Sequence, residues 1–333
     1  MLLFLNSLAH FLVDGLCLAT LFGTVYAEAD IVSAVILYNT LAFSTQCLVG
    51  LVTDSTGRWE WLCCGSEILV VLGFILPLPW YMKIVFIGLG NSLFHVTGGS
   101  MTLRDCGGKA AKLGVFVAPG AIGVTLGSLW PKLGIFFALA LLVCAVEMGI
   151  MALNKKPENP MSIKSGDGGH FPVLAVILLT AAVAVRAVGG SAVSFPWKSG
   201  ALQGIVMTLC VFGGKTAGGF VCDRIGAEKS AYISIPLSAL LIAFCSEYML
   251  PSLLGQLLLN LSMPVTLYLL YKAIPDSPGL AFGLAASALW PGTIAGQMFT
   301  LTGPALWLCV IASFLFGLGA IVYSEKNLRR INV

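Results

Sequence analysis

Gly50-Leu-Val-Thr-Asp54-Ser-Thr-Gly57-Arg58 and Gly219-Phe-Val-Cys-Asp223-Arg224-Ile-Gly226 share one pattern: a glycine, an aspartate four residues later and a turn glycine three after that. Each copy closes an apolar stretch, and the copies lie 169 residues apart in a chain of 333. The same shift places Asn91 on Asn260, Thr97 on Thr266, Gly114 on Gly283 and Gly123 on Gly292. A repeated loop in register with repeated apolar segments reads as a duplicated bundle of membrane helices.

Composition agrees. The chain is 58% hydrophobic and 10% charged, with a mean hydropathy of +0.95. A soluble domain has no means of hiding so much apolar surface, whereas lipid covers it. The formal charge of +3 is read from where the charges fall, and nothing in it points to nucleic acid. Ten cysteines are scattered through apolar stretches without a Cys-x-x-Cys pair. His10, His95 and His170 do not complete a tetrahedral set with them, so free thiols and no metal are expected. The first 25 residues have no basic start and are interrupted by Asp14, which reads as a first span rather than a cleaved leader.

Turn residues and charges divide the chain into twelve segments: 2–26, 31–53, 60–79, 82–103, 110–130, 132–153, 171–193, 200–221, 230–248, 251–271, 279–299 and 302–323. Each has room for the ~20 residues that cross ~30 Å of hydrocarbon. The expected fold is all-α, two six-helix halves at 1–153 and 171–333 joined by a polar linker at 154–170. With the N-terminus inside, the inner connections and tail carry thirteen basic residues: Arg58, Arg104, Lys109, Lys112, Lys155, Lys156, Lys164, Arg224, Lys229, Lys272, Lys326, Arg329 and Arg330. The outer side carries three, Lys83, Lys132 and Lys198. That bias predicts both termini in the cytoplasm of a cell that holds the protein in its inner (plasma) membrane.

In the repeated loop, Gly50 and Gly219 allow helices to approach closely, and Gly57 and Gly226 allow the chain to reverse. Asp54 and Asp223 are placed to cap a helix start or to pair with Arg58 and Arg224. The cluster reads as a gate latch, or more simply as a tight turn. Pro119, within Gly114-Val-Phe-Val-Ala118-Pro119-Gly120, is expected to bend span five, and Pro291 span eleven.

The duplicated Gly-x-x-x-Asp-x-x-Gly loop, with twelve spans in two halves, resembles the major facilitator superfamily over the whole chain. Within it, Gly88-Leu-Gly90-Asn91-Ser92-Leu-Phe94-His95 and His10-Phe-Leu-Val-Asp14 are similar to signatures of the fosmidomycin-resistance-type efflux group. That fourth-span signature continues with a proline and an acid, where this chain has Val96 and Thr97. The resemblance implies alternating access, and a seventh span facing the first across a central cavity. Asp14 and Arg186 would then approach in at least one state, as a working contact or as a fixed ion pair.

Charges inside spans are costly and turn toward a bundle interior, so each is a site candidate. Asp14 is expected to carry the coupling proton, with His10 one turn before it and Glu67 as a further carboxylate. Asn91, His95, Arg186 and Asn260 are the candidate contacts to cargo, although a histidine such as His95 also serves as a packed core donor. The expectation is a proton-coupled exporter of a small organic solute, an anion being allowed by Arg186 and Lys215. It would work as a monomer, with protons, solute and lipid as partners. An importer or uniporter, or a membrane binding protein that no longer transports, is the alternative. No nucleotide loop, metal cluster or nucleophile–base pair marks an enzyme or a cofactor.

Overall fold

The computed structural model describes residues 1–155 and 172–331. Most of the 154–170 linker, with Lys156, Lys164 and His170, lies outside the described residues. Fourteen α-helices occur among the described residues: α1 Leu2–Gly23, α2 Ile31–Asn39, α3 Gln46–Thr56, α4 Trp59–Ile75, α5 Trp80–Asp105, α6 Ala111–Val117, α7 Pro119–Leu129, α8 Gly134–Asn154, α9 Val173–Ser191, α10 Ala201–Ile225, α11 Ala227–Cys245, α12 Met249–Ala273, α13 Pro278–Met298 and α14 Gly303–Ile331. They make twelve spans. A π-helical stretch, Thr40–Ser44, joins α2 to α3, and α6 and α7 are two parts of one span that breaks before Pro119. Eleven spans are long and apolar enough to cross a bilayer. The twelfth, α4, has 17 residues.

The shortness of α4 has a local cause. Leu76 precedes Pro77 and adopts φ −75°, ψ 143°, because a proline ring disfavours helical backbone in the residue before it. The expected span 60–79 therefore ends four residues early. Its last carbonyls are not orphaned: Lys83 Nζ donates to Leu76 O at 2.8 Å and to Phe74 O at 3.5 Å. The break at Pro119 follows from its missing N–H and its ring, as the sequence predicts. Pro291 instead sits inside one continuous helix, α13.

Two compact units form. The first contains Met1–Asp105, the chain from Phe116 through α8, and Ser277–Gly283; the second contains Cys106–Val115, the helices from α9 to Asp276, and the chain from Leu284 through α14. In the first unit α1 packs along α7, and α4 packs on α5 and α8. In the second, α12 packs on α10 and α11, and α14 packs on α9 and α11. Small residues make the closest contacts. A Cβ on Gly123 of α7 would run into the Phe11 carbonyl and the Gly15 amide of α1.

The outward faces are apolar. On α8, Phe136, Leu139, Val143, Val146, Ile150 and Leu153 are exposed at alternating steps of three and four, while Phe137, Leu141, Ala145, Met148 and Ala152 are buried. Such a stripe needs lipid to cover it, and the protein is a multi-pass membrane protein.

These contacts set an expectation for thermal unfolding in detergent. Gly123→Ala should lower stability by about 1–3 kcal/mol, because the backbone of α1 has nowhere to move. Gly317→Ala, where a Cβ meets nothing within 4 Å, should change it by less than about 0.5 kcal/mol.

Candidate functional site

α1 and α5 each present two polar side chains one helical turn apart, and these four meet. His10 and Asp14 come from α1, Asn91 and His95 from α5, and all four are buried. His10 Nε2 is 3.3 Å from Asp14 Oδ2, and His95 Nε2 is 3.6 Å from Asp14 Oδ1. Asn91 Nδ2 donates to Asp14 Oδ1 at 2.9 Å. The imidazole rings meet edge to face with centroids 4.4 Å apart, walled by Phe94 and Phe116.

The outer ring nitrogens fix the tautomers. His10 Nδ1 lies 2.8 Å from the Phe116 carbonyl and His95 Nδ1 2.9 Å from the Asn91 carbonyl. A carbonyl only accepts, so each Nδ1 carries a hydrogen and donates it. In a neutral ring the Nε2 atom is then a lone pair, and both Nε2 atoms face a carboxylate. Acceptors gathered in a low-dielectric site repel unless a cation sits among them. The site is a buried carboxylate that accepts one amide donor and faces two imidazole nitrogens. Gly120 completes it, since a Cβ there would strike Asp14 Oδ2 and His10 Nε2. The sequence reading missed Gly120 and the Phe116 carbonyl as parts of this site, although both lie in the glycine–proline run around Pro119.

The repeated loops build a second arrangement, made twice. Asp54 accepts from the Gly279 and Leu280 amides at 2.8 Å each, at the start of α13. Asp223 accepts from the Ala110 and Ala111 amides at 2.7 and 3.0 Å, at the start of α6. Residues 279 and 280 are 110 and 111 shifted by 169. The close approaches repeat as well: a Cβ on Gly114 would meet the Lys215 carbonyl, and one on Gly283 the Gln46 carbonyl, again 169 apart. Each aspartate thus caps a helix distant in sequence, matching the positive end of its dipole. Gly57 at φ +59° and Gly226 at φ +88° make the reversals that follow. Arg58 and Arg224 are exposed, and among the described residues neither pairs with an aspartate of the loops, which corrects that option.

The remaining candidates have other partners. Arg186 on α9 is half-buried and donates to Ser262 Oγ on α12 at 2.6 Å, beside a cavity of about 10 Å³ also lined by Thr266 and Phe314. No carboxylate lines that cavity. Asp14 is paired with the two histidines. Asn260 spends its amide on the Gln256 carbonyl of its own helix at 2.8 Å. Glu67 on α4 is fully buried, receives the Cys63 thiol at 3.9 Å and leaves Oε2 without a partner.

No protein-family model matches the sequence, and no curated protein matches it. Solved structures do. The crystal structure of a major facilitator superfamily transporter, FucP, in the outward conformation superimposes with a TM-score of 0.69 at 10% identity, covering 97% of this chain and 98% of that one. A second crystal structure, of the E. coli fucose:proton symporter FucP, gives 0.65 at 12% identity with 97% of each chain covered. The human organic anion transporter MFSD10 (TETRAN) gives 0.63 at 15% identity with 98% of each covered. The chain therefore has the major facilitator fold: all-α, with twelve helices through the membrane. None of these three is described as a fosmidomycin-resistance protein, so that finer resemblance stays with the motifs at His10–Asp14 and Gly88–His95.

The caps are testable amide by amide. Asp54→Ala should cost about 0.5–2 kcal/mol, the range for losing a helix cap, and Asp54→Asn less because an acceptor remains. Hydrogen exchange should rise at Gly279 and Leu280 in that variant, and at Ala110 and Ala111 in Asp223→Ala. Unchanged protection at both pairs would show that the aspartates do not hold these helix starts.

Proposed function

We propose that the chain is a secondary transporter that moves a small solute through the membrane by alternating access, driven by protons, with Asp14 as the proton-carrying carboxylate. The observation that carries this reading is the buried His10–Asp14–His95 cluster. Within a twelve-helix major facilitator fold it is a carboxylate faced by two imidazole lone pairs, which gives a proton a place to sit and partners to move between. His10 and His95 tune that proton's position, and Asn91 orients the carboxylate. Glu67, buried and half-satisfied, is the second carboxylate on this reading. Arg186, with Ser262 and Thr266, offers cargo a cation and two hydroxyls, which suits a solute with an anionic or polyhydroxyl group. Asn260 has a lesser part, because its amide is already spent.

Uptake is the direction we favour. Export was the expectation drawn from motif resemblance, but one of the fold neighbours is described as a fucose:proton symporter, and symport down an inward proton gradient carries solute inward. On this reading both termini are cytoplasmic, as the basic residues of the connections support, the membrane is the cell's inner (plasma) membrane, and one chain suffices. The two halves at 1–153 and 171–333 would rock against each other. Asp54 and Asp223 would act as latches that release a helix start in one state and hold it in the other.

Proteoliposomes with an imposed pH gradient test the proposal. Wild-type protein should accumulate solute from a panel of sugars and organic anions. Asp14→Asn, which keeps size and much hydrogen bonding, should lose accumulation entirely and retain counterflow. Normal accumulation by Asp14→Asn would remove the proton assignment and move attention to Glu67. Binding of solute with no flux of any kind would favour the non-transporting reading. In the same vesicles, Asp223→Asn should slow exchange while leaving solute affinity within about twofold, since a latch acts on interconversion. Equal losses in both would argue against the latch.

A further inference from the structure

His10, Asp14 and His95 bring three metal-ligating side chains together. A divalent ion bound by imidazole nitrogen and carboxylate oxygen sits about 2.0–2.1 Å from each ligand, so in a tetrahedral site the ligand atoms stand about 3.3 Å apart. Here the two imidazole nitrogens approach different oxygens of the carboxylate, His10 Nε2 at 3.3 Å from Oδ2 and His95 Nε2 at 3.6 Å from Oδ1, so an ion between them would draw the three side chains inward. One ligand atom from each of the three residues lies within 4.8 Å of the other two. We propose that His10, Asp14 and His95 bind one divalent transition-metal ion per chain, of the zinc or cobalt class.

Three further observations support this. Both Nδ1 atoms face backbone carbonyls, Phe116 and Asn91, so both rings are held with Nε2 turned to the shared carboxylate; outer hydrogen bonds of this kind orient metal-binding histidines. Asn91 donates Nδ2 to Asp14 Oδ1, while its own Oδ1 is buried without a partner. A neutral oxygen left unsatisfied next to three converging ligands is explained by an occupant that offers it a contact. Gly120 leaves open the side on which any Cβ would collide with both Asp14 Oδ2 and His10 Nε2. Two imidazoles and one carboxylate select a borderline ion such as Zn²⁺, Co²⁺ or Ni²⁺ over Mg²⁺ or Ca²⁺, which take oxygen ligands. Three protein ligands also leave a tetrahedral ion one open position.

The inference concerns the same three residues that hold the proton in the proposed function, so a bound ion and that proton compete for one site, and metal binding is read out separately from transport. The full-length protein, purified in detergent and stripped with chelator, is titrated with Co²⁺ as an optical probe. One equivalent per chain should give the visible bands of tetrahedral cobalt without the near-ultraviolet absorption of thiolate ligands, which excludes the ten cysteines. Zn²⁺ should displace it and Mg²⁺ should not. His95→Gln and Asp14→Asn should abolish the bands, and Asn91→Leu should weaken binding roughly 10–100-fold. Zn²⁺ should also raise the thermal midpoint of the wild type and not that of His95→Gln. That comparison decides the matter if Asp14→Asn folds poorly. Two results overturn the site: no stoichiometric Co²⁺ binding by the wild type, or full affinity in a folded His95→Gln. Either leaves proton-driven transport to be judged by the liposome assay alone.

Discussion

A carboxylate placed inside a membrane helix has to be answered by something positive or by hydrogen-bond donors, because hydrocarbon offers neither. Asp14 is answered by the Asn91 amide of α5, and the Nε2 atoms of His10, on its own helix, and His95, on α5, close around it. That requirement reaches outward. The two histidines need their second nitrogens fixed, which recruits the Phe116 and Asn91 carbonyls. The span carrying Phe116 comes close enough because Pro119 breaks it and because Gly120, Gly123 and Gly127 present no side chains to α1. The glycine–proline run of span five is therefore part of the polar site, in addition to being a packing device.

The same accounting governs the repeated loops. Helix starts leave amides without intrahelical partners, and in a bundle with short connections those amides need an acceptor from elsewhere. Asp54 and Asp223 supply it to α13 and α6. Gly50 and Gly219 are required at these places because any Cβ would strike the carbonyl of Gly279 or Ala110. A carboxylate four residues after a glycine is thus a matched pair: the glycine admits the backbone, and the aspartate satisfies the amides that the approach brings in.

Much of this was legible in the chain. Spans, turns and the repeat follow from hydropathy and glycine spacing, which are local. The break at Pro119 is equally local, whereas Pro291 lies in an unbroken helix, since neighbouring backbone decides whether a proline opens a helix or only interrupts its ladder. The partners of Asp54 were not legible, because an aspartate near an arginine reads the same as an aspartate that caps a helix 225 residues away. The cluster was half visible. His10 and Asp14 announce themselves by spacing on one helix, and Asn91 and His95 do so on another. Nothing in their order shows that the two pairs face each other, and this hid the three converging ligand atoms.

The repeat also shows where the two halves differ, and the difference falls on chemistry. The shift of 169 carries Gly50, Asp54, Ala110 and Gly114 onto Gly219, Asp223, Gly279 and Gly283, and the contacts they make are the same. It carries His10 onto Leu179, Asp14 onto Val183 and His95 onto Pro264, and it brings Arg186 back onto Cys17. Leu179 and Val183 are buried apolar residues, so the positions equivalent to His10 and Asp14 carry no ionisable group. The first unit in turn has no counterpart of Arg186. Asn91 and Asn260 keep the residue and lose the role, one bonded to Asp14 and the other to its own helix. The caps occur twice because each unit contains one helix start brought in by a close glycine contact, and each such start leaves amides to satisfy. The buried carboxylate occurs once at this depth in the repeat, and a second at Val183 would carry the full desolvation cost again. Repeated caps beside unrepeated polar side chains are what those two constraints produce together.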